Sequence, residues 1–289
     1  MRSSHARLRV IGVSLLCCHA ARVASAQAPA GAQPSPQRLS AAAPALTAED
    51  VESFLDGMMP LQLQQHDIAG TVISVVKDGK LLFAKGYGYS DVKLRTPVTT
   101  DATLFRIGSV SKTFTWTAVM QLVEQGKIDL DRDVNAYIDF KIPAPYGKPV
   151  TMRNLLTHTA GFEENVKDMF KGDARDLRPL GEHLKTHVPA QIFAPGTTPA
   201  YSNYGATLAA YVVQRVSGTP FNEYIRLNVF QPLGMTRATF DQPLPNDLKA
   251  MMSQGYGQAS QPPKSFEVVQ VWPAGSMSVT ADAMSHFMI

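Results

Sequence analysis

The 289-residue chain predicts an α+β fold, on three observations. The β-branched run TVISVVK (71–77) enters Asp78-Gly79 and is answered by Lys80 to Gly86, the pattern of an antiparallel hairpin. After Ser109 the apolar residues Phe114, Trp116, Val119, Met120, Leu122 and Val123 recur at helical spacing until Gly126. Downstream of Gly126 the chain reads mostly as short helices and loops, so a small sheet is joined to a mainly helical lobe.

Taken in order, Thr47 caps a first helix that contains Val51, Phe54 and Leu55, with Glu49 and Asp50 in its first turn. The hairpin is next; a two-stranded ribbon is marginal alone, so it must join a larger sheet. Its partner strands are not evident before Ile289. Thr151 opens a short helix through Leu155 and Leu156, for which Gly161 is the expected C-terminal cap. A longer helix runs from Gly205 through Val216 to Gly218, and Thr219-Pro220 starts another that Pro232 and Gly234 close. Val268 to Val271 is the other short strand, and Thr280 to Asp282 open a last helix using Met284, Phe287 and Met288.

The amino terminus is a separate matter. Residues 1–26 carry Arg2, Arg7 and Arg9, the apolar run Val10 to Cys18, then Ala24-Ser25-Ala26. This is the pattern of a secretory signal cut after Ala26, and the run is too short for a membrane anchor. The expected product is secreted or periplasmic, with no transmembrane segment. The signal takes Arg2, Arg7, Arg9 and Arg22 and no acid from 27 basic and 24 acidic residues, so the remainder is close to neutral. A nucleic-acid partner, which needs a clustered basic face, is not expected. Both cysteines, Cys17 and Cys18, leave with the signal, and a disulfide or thiol nucleophile leaves with them. Residues 27–46 are Pro/Ala-rich and aperiodic, a disordered linker, so the folded domain is 47–289.

Chemistry enters at FRIGSVSKTF (105–114), where Ser109 and Lys112 stand one helical turn apart. A hydroxyl with an amine on the same face is a nucleophile with its base beside it. Ser-x-x-Lys occurs twice more. Ser74 and Lys77 lie on a strand, where side chains three apart face opposite ways, and Ser90 and Lys93 lie in an aperiodic stretch before Pro97. Only Ser109 and Lys112 have a helical scaffold. A second feature is the Tyr-x-Asn of Tyr201-Ser202-Asn203.

FRIGSVSKTFT, LLTHTAGF, PGTTPAYSNYGATLAAYVVQRVSG and PLGM, in this order, resemble the serine β-lactamase and penicillin-binding DD-peptidase superfamily. The nearest branch is the class C β-lactamase-like (CubicO-type) group, which includes esterases and D-aminopeptidases. The resemblance implies an antiparallel sheet flanked by helices plus a mainly helical lobe. It also implies Ser109 as the nucleophile of an acyl-enzyme, Lys112 as its base and Tyr201 as proton relay to the leaving group. Asn203 would hydrogen-bond the substrate's amide side chain and orient the lysine. The Ser109 N–H at a helix start would supply half of an oxyanion hole. The substrate would be a small molecule or peptide, namely a β-lactam, a peptidoglycan D-amino-acid peptide or an ester, handled with no cofactor and no metal.

One element of the family pattern is not found. A Lys or His, a small residue and Gly should follow the Tyr-x-Asn on a site-lining strand, and no such triplet follows Asn203. The resemblance therefore implies a hydrolase domain incomplete at its C-terminus, lacking sheet strands, with an open hairpin edge and an uncovered apolar face on the hairpin. The alternative to a hydrolase is a noncatalytic homologue that binds cell-wall peptides or β-lactams. Single residues also admit plainer roles. Taken singly, Ser109 also reads as a plain helix cap, Lys112 as a solvated charge and Asn203 as a turn or cap residue; His158 reads as structural rather than as a base, and His183 and His187 read as surface histidines rather than a metal pair.

Overall fold

The computed structural model describes residues 45–289. The signal at 1–26 and the linker up to residue 44 lie outside the described residues. Helix α1 (Ala48–Gln65) starts where the cap pattern places it: the Asp50 N–H donates to Thr47 Oγ1 at 3.1 Å and the Thr47 N–H to Asp50 Oδ2 at 3.0 Å. Two otherwise orphaned donors are satisfied reciprocally. The helix lays Val51, Leu55 and Leu63 on Phe83 and Tyr87 of the hairpin formed by β1 (Gly70–Lys77) and β2 (Lys80–Asp91). The hairpin face expected to be bare is therefore covered, because α1 folds back onto it. Phe54 falls off this stripe and is 65 % exposed.

The hairpin closes on Asp78 and Gly79, at φ of 52° and 68°, with Lys77 opposite Lys80. Two residues at positive φ give a turn that matches strand twist, which explains the Asp-Gly sequence. Strand β3 (Thr96–Pro97) adds to β2 in the order β1-β2-β3, leaving β1 with one open edge among the described residues.

The chain then passes through β4 (Phe105–Arg106) and a 3₁₀ turn (Gly108–Val110) into α2 (Ser111–Glu124). Next come α3 (Met152–Leu156), β5 (Phe170–Lys171), α4 (Leu180–Thr186) and α5 (Asn203–Ser217). The remaining elements are α6 (Phe221–Ile225), β6 (Ala238–Thr239), α7 (Asn246–Lys249), β7 (Val268–Val269), β8 (Ser278–Val279) and α8 (Ala281–Met288). The expected strand at Val268 exists as β7, paired with β5, and β4-β8-β6 make another small sheet. These two-residue strands have no period of their own to read; tertiary pairing creates them.

The centre is α5, whose residues from Tyr204 to Val213 are all buried. A helix apolar on every side must be packed on every side, and α2, α3, α4 and α6 surround it. Helix α2 contributes Phe114, Ala118, Val119 and Leu122, each at 0 % exposure. Phe114 meets Phe230 and Phe240 edge-on and stacks at 4.0 Å on Phe287 of α8. A fully buried aromatic or aliphatic side chain of this size contributes about 1.5–3 kcal/mol.

Helix α3 ends earlier than its expected cap. It stops after Leu156, and His158 takes the left-handed conformation at φ 54°. Gly161 lies outside the helix, against the Phe193 carbonyl, where a Cβ would approach to 2.0 Å. That glycine serves a close backbone approach rather than the helix end. No described helix is long and apolar enough to cross a membrane.

Candidate active site

Ser109 sits in the 3₁₀ turn that precedes α2, and Gly108 just before it has φ 54°. That backbone conformation favours glycine and turns the chain sharply into the helix. Ser111 holds the turn: its Oγ donates to the Gly108 carbonyl at 2.6 Å and accepts from the Met277 N–H at 3.2 Å. Lys112 lies one turn further on, its side chain buried in the core.

The helix spacing places the Lys112 amine 3.1 Å from Ser109 Oγ. Lys112 Nζ also donates to Asn203 Oδ1 at 2.8 Å and to the Ala274 carbonyl at 2.7 Å. Tyr201 approaches from the opposite side, its phenol donating to Ser109 Oγ at 2.7 Å. The Tyr201 ring lies under the lysine at 4.7 Å. The four residues singled out in the sequence, Ser109, Lys112, Tyr201 and Asn203, thus form one contiguous group. Ser109 and Tyr201 remain exposed, so the hydroxyl is reachable from solvent.

Local structure explains how Tyr201 and Asn203 reach the site. Ser202 caps α5, its Oγ accepting from the Gly205 N–H at 3.0 Å. The capping duty falls on Ser202, which leaves Tyr201 in extended chain before the helix and the Asn203 side chain free on its first residue.

His158 braces this segment, in keeping with its structural reading. Its carbonyl accepts from the Ala200 N–H at 2.7 Å, its Nδ1 from the Ser202 N–H at 3.2 Å, and its ring packs 4.5 Å from Tyr201. Burial and the nearby Lys112 charge both hold its pKa below the usual histidine value. The surface reading of the other pair needs correction. His187 is exposed, but His183 is buried at 8 % exposure under it, rings 4.4 Å apart, and burial pushes the His183 pKa down to about 4. The register of α4 turns His183 inward beside Leu180 and Leu184.

Burial lowers the Lys112 pKa from the ordinary lysine value; Tyr201, and then the more distant Glu164 charge, oppose that shift. The neutral amine is therefore available at lower pH than for a solvated lysine.

Two partners escaped the sequence reading. Glu164, in the exposed loop after α3, accepts from the Asn203 N–H at 2.8 Å and from Asn203 Nδ2 at 2.7 Å. Adjacent acids in a polar loop look like solvated charge. The Ala274 carbonyl lies in a 3₁₀ turn (Trp272–Ala274) pinned to α2 by Thr115 Oγ1, which donates to the Pro273 carbonyl at 3.1 Å. A backbone acceptor has no side-chain signature. Two clefts elsewhere, of about 380 Å³ beside Arg226 and Leu248 and about 430 Å³ beside Asp139 and Gly181, contain none of these groups.

The chain matches a family described as Beta-lactamase over residues 20–289. A putative penicillin-binding protein PbpX of Bacillus subtilis (strain 168) is 29% identical over 231 residues, spanning 78% of this chain and 55% of its own. A beta-lactamase of Pseudomonas fluorescens is 31% identical over 218 residues, spanning 74% of this chain and 57% of its own. A solved class C beta-lactamase superposes with a TM-score of 0.70 at 23% identity, covering 83% of this chain and 64% of that one. The chain spans about half the length of the curated relatives it matches.

Proposed function

The chain belongs to the beta-lactamase family, with a class C-like fold, and on that footing we propose that it is an exported serine hydrolase working through an acyl-enzyme at Ser109. The observation that carries this reading is the double contact of Ser109 Oγ, with Lys112 Nζ at 3.1 Å and the Tyr201 hydroxyl at 2.7 Å. A serine hydroxyl is a weak nucleophile at neutral pH; a neutral amine within hydrogen-bond reach removes its proton as the bond to carbon forms.

In the proposed cycle Ser109 Oγ attacks the carbonyl carbon of a β-lactam, a D-amino-acid peptide or an ester, and Lys112 takes the hydroxyl proton. The carbon–nitrogen or carbon–oxygen bond then breaks, and the proton passes to the leaving group by way of Tyr201. Water adds to the acyl group and restores the Ser109 hydroxyl. The backbone N–H of Ser109, at the start of a helical turn, supplies one donor to the oxyanion, a contact typically worth about 3 kcal/mol of barrier. Assignment to the CubicO-type branch of class C-like hydrolases is part of this proposal and rests on the ordered motifs. Export rests on the pattern of residues 1–26.

Fluorescent penicillin followed by denaturing electrophoresis tests the proposal. Wild-type chain denatured before deacylation should carry the label and Ser109→Ala should not. Turnover of nitrocefin beside a p-nitrophenyl ester then sorts lactamase from esterase. Label lost on denaturation would favour the noncatalytic binder, and label surviving Ser109→Ala would remove Ser109 as the nucleophile.

A further inference from the structure

The three partners of Lys112 differ in what they offer its amine. A neutral primary amine has two N–H bonds and one lone pair. The Ala274 carbonyl and Asn203 Oδ1 only accept, so they engage both N–H bonds, and the lone pair is left for the third partner, Ser109 Oγ. This division holds only while the carbonyl end of the Asn203 amide faces the lysine. Turned over, the amide would point its NH₂ at Nζ and donate into the same lone pair that Ser109 needs.

Nothing in Asn203 itself decides between the two orientations, since its ends are nearly the same size. The decision comes from the other side. A carboxylate has only acceptors, and Glu164 receives the Asn203 backbone N–H and one Nδ2 hydrogen, one bond on each oxygen, at 2.8 and 2.7 Å. We infer that Glu164 is a positioning residue which, by holding the Asn203 amide with Oδ1 toward Lys112, keeps the lysine lone pair directed at Ser109.

The inference rests on Lys112 as the base of the proposed cycle, but its physical consequence does not need turnover. The charged or titratable groups around Lys112 are Tyr201, whose ring lies against the amine, His158 behind that ring, and Glu164 beyond Asn203. The Glu164 negative charge favours the protonated amine. Removing it lowers the Lys112 midpoint, and an amide released to donate to the lone pair lowers it further, so both effects have the same sign.

The test is a ¹³C NMR titration of the lysine Cε signals in the full chain, with Lys112 identified by its absence from Lys112→Arg. Glu164→Gln and Glu164→Ala are compared with wild type. Glu164 is exposed, so neither substitution opens a cavity. The Lys112 midpoint should fall by about one pH unit in both variants. Penicillin acylation should slow by about ten- to a hundredfold in Glu164→Ala at unchanged half-saturation, with partial recovery in Glu164→Gln, whose amide oxygen still accepts from Nδ2. The low-pH limb of the acylation rate should move down with the midpoint. An unchanged midpoint overturns the proposal whatever the rate does. A shifted midpoint in a chain that takes no label would sink the acyl-enzyme reading, and a shift with equal acylation rates in wild type and both variants would overturn the positioning role and leave Glu164 a nearby charge only.

Discussion

The hairpin layer of α1, β1, β2 and β3 and the helical core around α2 and α5 bury their apolar residues to different depths. In the hairpin layer the best-covered residues, Val51, Leu55, Leu63, Phe83 and Tyr87, keep 7–9 % exposure, and every residue of β1 is half-buried. In the helical core Phe114, Val119, Leu122, Leu208 and Val212 are at 0 %. The first region is a thin layer, a small sheet against which α1 and α8 pack; the second is a helix enclosed on all sides. The four residues of the candidate site lie in the second region or at its surface, and none lies in the first. The chemistry accounts for that placement. Burial is what lowers the Lys112 pKa, and the enclosed region provides it while supplying acceptors for the amine's hydrogens.

The largest expected effect belongs to the enclosed region's chemistry. Ser109→Ala should cut covalent labelling and any turnover by about 10⁴-fold or more, with the thermal midpoint nearly unchanged because Ser109 is exposed. Packing comes next. Phe114→Ala should cost about 3–5 kcal/mol in urea unfolding, whereas Phe83→Ala should cost about half of that or less because the hairpin layer can relax around the gap. Equal losses would mean that the two regions are packed equally tightly.

A pH series probes the enclosed region in another way. The His183 pKa is lower folded, at about 4, than its ordinary value of 6.5. Below 6.5 the unfolded chain binds a proton that the folded chain refuses, so this contribution falls as pH drops from about 6.5 to about 4 and is flat above. The urea midpoint should decline over that window, and His183→Gln should flatten the decline. The smallest effect is Thr47→Ala, about 1 kcal/mol, felt as fraying of α1 and lost protection of the hairpin amides in hydrogen exchange. Loss of labelling in that variant would mean that the hairpin layer supports the site after all.

Legibility followed the same division. The cap at Thr47, the turn at Asp78-Gly79, the α5 stop at Gly218 and the start of α8 at Thr280 are all set by neighbours in sequence, and each is where its pattern places it. The end of α3 misled because Gly161 resembles a cap, while its conformation answers to Phe193, far along the chain. Strands β4, β6 and β8 were illegible because two residues carry no period. Within the site, Ser109 and Lys112 were legible from one turn of helix, and Tyr201 with Asn203 from their motif. Glu164 and the Ala274 carbonyl were not: a loop acid and a backbone oxygen gain meaning only from what they touch.

Neighbours in sequence were enough for local features: several helix starts and stops, the hairpin turn, and a hydroxyl and an amine one turn apart where a 3₁₀ turn runs into α2. Hydrogen-bonding geometry within a single turn is enough for that. Tertiary structure alone decided that Tyr201 meets Ser109 from 92 residues away, that α5 buries the lysine, and that Glu164 and Ala274 settle which way its hydrogens point. Those contacts join elements distant in sequence, and the desolvation that shifts the amine exists only once the elements have closed around it.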